Sequence, residues 1–99
     1  MTMIQVTSVK LKNTAQELQG LNSRFQNMST ELDQREQALC TMWEGKAKEA
    51  FHRAYVRDRE QMEVFARLIA QYARILQEIS ERYEQAELRN AQIASKRSY

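Results

Sequence analysis

Cys40 and His52 are the only cysteine and the only histidine of the chain, and they flank the only tryptophan in the step Trp43-Glu44-Gly45. These residues have the most chemistry to offer, and each is present once. Nucleophilic catalysis needs a base beside the nucleophile and a third group to orient that base. A single histidine leaves no spare parts for such a triad or for a His-based metal cluster. Carboxylates are plentiful, but on helix surfaces they serve as solvating charge more often than as acid–base pairs. No Gly-rich loop is present to cradle a phosphate. No catalytic residue, resident metal or cofactor is therefore expected. Cys40 reads as a small buried hydrophobe at the flank of a turn. A lone cysteine forms no intrachain disulfide, and antiparallel pairing of two copies would send the two Cys40 thiols to opposite ends.

The composition describes the elements that must carry these residues. Charged residues are 28% of the 99, there is no Pro, and Gly20 and Gly45 are the only glycines. Such a chain makes long helices or coiled coils and lacks the turn residues of an all-β fold. Its length allows one domain. The formal net charge is +2, and residues 46–99 carry eleven Lys/Arg against eight Asp/Glu, interleaved as on a solvated helix face. No nucleic-acid partner is expected from that pattern. No apolar run approaches the ~20 residues that span a bilayer, so stable membrane insertion is not expected either. The opening MTMIQVTSVKLKN has neither a charged n-region nor an apolar h-region, and no cleavable signal peptide is read there.

Hydrophobic periodicity predicts two helices. The first runs over about residues 7–42, with Thr7 as N-cap and Val6 and Leu11 spaced as a hydrophobic staple. Its seam is Leu11, Thr14, Leu18, Leu21, Phe25, Met28, Leu32, Arg35, Leu39 and Met42, alternating three and four apart as a heptad repeat requires. Gly20, beside Asn22 and Ser23, is the expected soft spot. The second helix runs over about residues 46–90, with a seam of Phe51, Tyr55, Asp58, Met62, Phe65, Ile69, Tyr72, Leu76, Ile79, Tyr83 and Ala86. Leu68 and Ile75 widen the stripe on one flank, Ala66 and Ala73 on the other. Residues 41–46 form the turn, and about 91–99 are expected to be a flexible tail. A link this short makes the helices antiparallel neighbours.

The fold class is therefore all-α: an antiparallel helical hairpin over residues 1–99. A two-helix hairpin leaves part of so wide a stripe wet, and pairing two hairpins into a four-helix bundle would bury it. The expected hairpin and dimer core is Leu18, Leu21, Phe25, Met28, Leu32, Leu39, Phe51, Tyr55, Met62, Phe65, Leu68, Ile69, Tyr72, Ile75, Leu76 and Ile79. Trp43 reads as half cap of that core and half docking surface.

These features together resemble a known family. Trp43-x-Gly45-x-Ala47-x-x-x-Phe51 lies midway along a chain of about one hundred residues, between two long amphipathic helices. The chain is similar to the WXG family of small early-secreted-antigen-like proteins, substrates of type VII secretion systems. That resemblance covers nearly the whole chain. The family carries a second signal, Tyr-x-x-x-Asp/Glu, after its second helix. Tyr83-Glu84-Gln85-Ala86-Glu87 matches it, while Asn90 and Ala94 fill positions where the longer pattern prefers apolar residues.

The resemblance implies a two-part secretion signal, Trp43 and Gly45 with Tyr83 and Glu87, read by a membrane-anchored hexameric ATPase. Helix one is ~50 Å long at the helical rise. Folding back from the turn sets residue 80 opposite residue 8, so everything past about residue 81 overhangs. In a head-to-tail homodimer the overhang of one chain approaches Trp43 of the other. The function implied is that of a secreted substrate of a Gram-positive bacterium, made in the cytoplasm and exported as a folded dimer, with a role in virulence or interbacterial competition. The alternatives are a targeting partner for the helical N-terminal segment of a larger secreted toxin or a related WXG-like chain, and a cytosolic coiled-coil adaptor.

Overall fold

The computed structural model describes residues 3–96. The fold is a helical hairpin, with α1 spanning Met3–Met42 and α2 spanning Lys46–Lys96. No described helix is long and apolar enough to cross a membrane. Both helices contribute to each of two compact units. The terminal unit comprises Met1–Gln19 with Ala70–Tyr99, and the turn unit comprises Gly20–Ile69. The boundary on α1 falls at Gly20, where the soft spot is expected.

Both helices outrun their expected limits. α1 begins at Met3, so Thr7 lies inside it and is not its N-cap. Nothing between Met3 and Thr7 interrupts a helix, since a helix is broken by Pro or weakened by Gly and neither occurs there. α2 continues through Lys96 where a tail was expected from residue 91. Ala91, Gln92 and Ala94 are strong helix formers, and that preference prevails over the lack of an apolar face. Residues 97–99 of that tail lie outside the described residues.

The antiparallel register agrees with expectation. Ser8 meets Ser80, Asn22 meets Ala66, Asp33 meets Tyr55 and Glu36 meets His52. Each of these pairs is equally far in sequence from Glu44.

The face that is buried differs from the predicted seam by one residue on both helices. The buried described residues fall in two rows spaced by sevens: Ser8, Ala15, Asn22, Ser29 and Glu36 on α1, and Ala66, Ala73 and Ser80 on α2. Each except Ser8 directly follows a seam position such as Thr14, Leu21, Phe65 or Tyr72. The contact between helices alternates these small or polar residues with larger half-buried ones, namely Leu18 and Phe25 on α1 and Tyr55, Met62, Ile69 and Leu76 on α2. Small residues at every second contact let two backbones approach closely, and that geometry favours Ala and Ser where bulk would hold the helices apart.

The other large apolar residues stay wet. Leu21, Met28, Leu32, Leu39, Phe51, Phe65, Leu68, Tyr72 and Ile75 are exposed, and Ile79 is half-buried. None of the sixteen expected core residues is buried within one chain. They flank the buried rows instead of forming them.

Candidate functional site

The turn is built around one backbone requirement. Gly45 has φ +116°, a conformation that side chains with a Cβ rarely adopt. A Cβ there would meet nothing within 4 Å, so glycine is required by the backbone and not by crowding. The Gly45 carbonyl accepts from the Glu49 N–H at 3.4 Å, joining the turn to the first turn of α2. Trp43 is half-buried, with its ring 5.7 Å from that of Phe51 and tilted by 50°. The aromatic ends of Trp-x-Gly-x-Ala-x-x-x-Phe thus touch.

Above the turn, Glu36 is buried and accepts two hydrogen bonds on Oε1. One comes from the Cys40 thiol, one helical turn on, at 3.1 Å, and the other from His52 Nδ1 across the hairpin at 2.6 Å. These bonds lower the Glu36 carboxyl below the ordinary 4.5, His52 contributing most and Cys40 next. The same bond, with burial behind it, raises the Cys40 thiol above 9.0. Cys40 is therefore no passive hydrophobe: it is half-buried and its thiol donates to a carboxylate. Beside it opens a cleft of about 480 Å³ lined by Cys40, Lys48, Glu49, His52 and Arg53.

One turn further from the loop, Arg59 Nε donates to Asp33 Oδ1 at 2.8 Å, and the Tyr55 hydroxyl donates to the same oxygen. Arg59 first and Tyr55 second hold Asp33 below the ordinary 3.8. Burial, then the bond to Asp33, pushes Tyr55 up to about 12. Deeper in the turn unit, Asn22 Nδ2 donates to the Ala66 carbonyl at 2.9 Å, while Asn22 Oδ1 is buried with no partner. Phe25 meets Phe65 edge to face at 5.5 Å.

The terminal unit holds the second half of the expected signal. Tyr83 is 39% exposed and Glu87 is half-buried. Glu87 continues the Ala66, Ala73, Ser80 row by one more step of seven, just as Trp43 continues the row that ends at Glu36. The expected overhang is shorter than the sequence suggests. Glu84 accepts from Lys12 Nζ at 2.5 Å and from Ser8 Oγ at 3.1 Å, so α1 still covers α2 past residue 81. At the centre of this unit Ser80 Oγ donates to the Ser8 carbonyl at 2.9 Å, and the two hydroxyl oxygens lie 3.0 Å apart.

The four signal residues thus divide between the units: Trp43 and Gly45 belong to the turn unit, Tyr83 and Glu87 to the terminal unit. Sequence reasoning missed the convergence of Glu36, Cys40 and His52. Its signal was present, since Glu36 and Cys40 have i,i+4 spacing and the register about Glu44 carries Glu36 to His52.

Comparison with known families adds one finding. The model of the family WXG100, described as proteins of 100 residues with WXG, matches residues 3–88. No curated protein and no solved structure matches the chain.

Proposed function

Because this chain belongs to the WXG100 family of small helical type VII secretion substrates, we propose that it is exported as a folded, head-to-tail homodimer and acts outside the cell without catalysing a reaction. The observation that carries this reading is the split between the two faces of the apolar stripe. Small and polar residues occupy the contact within the chain, while Leu21, Met28, Phe65, Tyr72 and Ile75 are 47–66% exposed. Exposed stripes of this kind are buried when two hairpins pair into a four-helix bundle.

In such a dimer Tyr83 and Glu87 of one copy approach Trp43 of the other, and the export label is read only from the assembled pair. The exposed edge of Trp43 and the exposure of Tyr83 suit residues that meet a receptor, here the type VII membrane ATPase. Because both halves lie on one chain, a homodimer presents the label twice.

Two measurements test this. Sedimentation equilibrium of the purified chain should give a dimer, and Leu21→Glu with Tyr72→Glu should shift it towards monomer. In a host with a type VII system, the wild-type chain should appear in the culture supernatant, and Trp43→Ala or Tyr83→Ala should abolish its appearance while circular dichroism stays helical. A monodisperse wild-type monomer, or undiminished export of both variants, overturns the reading. Replacement of the homodimer by a stable 1:1 complex with a co-expressed toxin segment would favour the targeting-partner alternative.

A further inference from the structure

We infer that Glu36, Cys40 and His52 form a binding site for a zinc-class divalent cation that clasps the turn end of the hairpin. The three residues supply a carboxylate oxygen, a sulfur and an imidazole nitrogen, all within 4.8 Å of one another. Glu36 Oε1 lies 3.1 Å from Cys40 Sγ and 2.6 Å from His52 Nδ1. Ligands of a tetrahedral zinc stand roughly 3.2–3.8 Å apart, given Zn–O and Zn–N bonds near 2.0–2.2 Å and Zn–S near 2.3 Å. Converting the hydrogen-bonded trio into a coordination shell requires the Glu36–His52 pair to open from 2.6 Å by roughly 0.6 Å or more, a change within reach of side-chain rotation at the half-buried Cys40 and exposed His52.

Charge and burial point the same way. Glu36 is 8% exposed and lies in the row that faces the other helix. A buried carboxylate needs compensation, and here it receives one thiol and one imidazole. Binding releases the Cys40 proton to solvent, and the resulting thiolate and carboxylate together balance a doubly charged cation. The donor set also selects the metal. Sulfur and imidazole favour zinc and its neighbours, whereas magnesium and calcium prefer oxygen. The cleft beside Cys40 and His52 provides an entry route and room for a water as fourth ligand.

Lys48 and Arg53 line that cleft against Glu49 alone, so the surrounding field does not attract a cation. Affinity must come from direct ligation, and it should therefore depend on each of the three ligands. The site links α1 to α2 one turn before the Trp-x-Gly step. Its occupancy would hold the helices together at the place where Trp43 is presented.

The test uses the full chain, reduced and stripped with a chelator. Zinc titration by calorimetry should show one ion per chain with an affinity on the order of micromolar or tighter, and a raised Tm. Cobalt in place of zinc should give tetrahedral ligand-field bands and a sulfur-to-cobalt charge-transfer band. Cys40→Ser should remove the charge-transfer band, and Cys40→Ser and His52→Gln should each weaken zinc binding by more than the about 10–100-fold that loss of an outer-shell partner alone costs. Both side chains sit at the surface or half-buried, so both variants should remain helical by circular dichroism. Magnesium should neither bind nor raise the Tm. No saturable zinc uptake by the wild-type chain, or unchanged uptake by either variant, overturns the inference. Neither readout depends on dimerisation or export.

Discussion

The two units of the hairpin use the same row of contact positions and fill it differently. In the terminal unit the row is Ser8 and Ala15 against Ala73 and Ser80, and all four are at most 2% exposed. In the turn unit the row is Asn22, Ser29 and Glu36 against His52, Arg59 and Ala66. There the gaps between larger side chains leave a cleft of about 360 Å³ that includes Ala66 and Phe25. The terminal unit joins the close approach of Ala15 and Ala73 to neutral hydroxyl contacts of Ser8 with Ser80 and one flanking ion pair, Lys12 with Glu84. The turn unit uses longer polar side chains, Asn22 with the Ala66 carbonyl, Asp33 with Arg59 and Glu36 with His52, with the flanking aromatic pairs. One heptad row can thus be closed by small residues in one place and by long polar pairs in another.

The strongest way to break this comparison is to add bulk to each unit at matched positions. Ala73 is fully buried and lines none of the described clefts, so Ala73→Leu should cost about 3 kcal/mol, the upper range for overpacking a tight core. Ala66→Leu opens onto the cleft and should cost about 1 kcal/mol, because its side chain has somewhere to go. Urea denaturation of both variants measures the difference. Equal costs would mean that the two units are packed alike.

Next in size is the turn. At φ +116° Gly45 occupies backbone space that a Cβ disfavours, yet nothing crowds the missing atom. Gly45→Ala should therefore cost about 1–3 kcal/mol through backbone strain alone, and Gly45→Asn should cost less than Gly45→Ala despite its size, because Asn tolerates positive φ better. A larger penalty for Asn would show that space, and not φ, determines the residue.

Gly20 is the opposite case. It lies inside α1, and a Cβ there also meets nothing within 4 Å, but its φ is not positive. Gly20→Ala should stabilise the chain by about 1 kcal/mol, the difference in helix propensity. Thermal unfolding should show a raised Tm, and a lowered one would reveal a role for glycine where the two units divide.

Much of this is legible in the sequence, and what is not has identifiable physical reasons. The hairpin, its turn and its register follow from strong local signals: Gly45 between two sustained heptad patterns, with a link too short for anything but antiparallel return. The phase of the contact face did not follow, because the apolar stripe is broad and its largest residues look like its centre. Two lone helices approach best on small residues, so Ala15, Asn22, Ala66 and Ala73 share the contact with seam residues such as Leu18, Phe25, Met62 and Ile69, while Leu21, Met28, Phe65 and Tyr72 stay outside it. Ala66 and Ala73 were visible as a flank, but their smallness looked like absence of core. The Glu36–Cys40–His52 cluster was hidden for a different reason: it exists only once helical spacing on α1 is combined with the exact partner on α2.

The smallest expected effect is electrostatic, and it again separates the units. Asp33 in the turn unit is held below the ordinary 3.8 by Arg59 and then Tyr55. Glu84 in the terminal unit is held below 4.5 by Lys12 and then Ser8. For both, the folded state prefers the ionised form more strongly than the unfolded chain does. Each contribution is therefore complete above the ordinary carboxylate value and is lost as pH falls through the lowered folded value. The Asp33 and Glu84 side chains are 42% and 44% exposed, so solvent screening keeps either contribution small. A Tm–pH profile followed down from neutrality should begin to fall near the reference value that Glu84 shares with Glu36, before the Asp33 one. Glu84→Gln should flatten the start of that fall and Asp33→Asn its lower part. If Asp33→Asn leaves the acid limb unchanged, the Arg59–Asp33–Tyr55 ladder contributes no stability, and the polar character of the turn unit must serve presentation of its end instead of its fold.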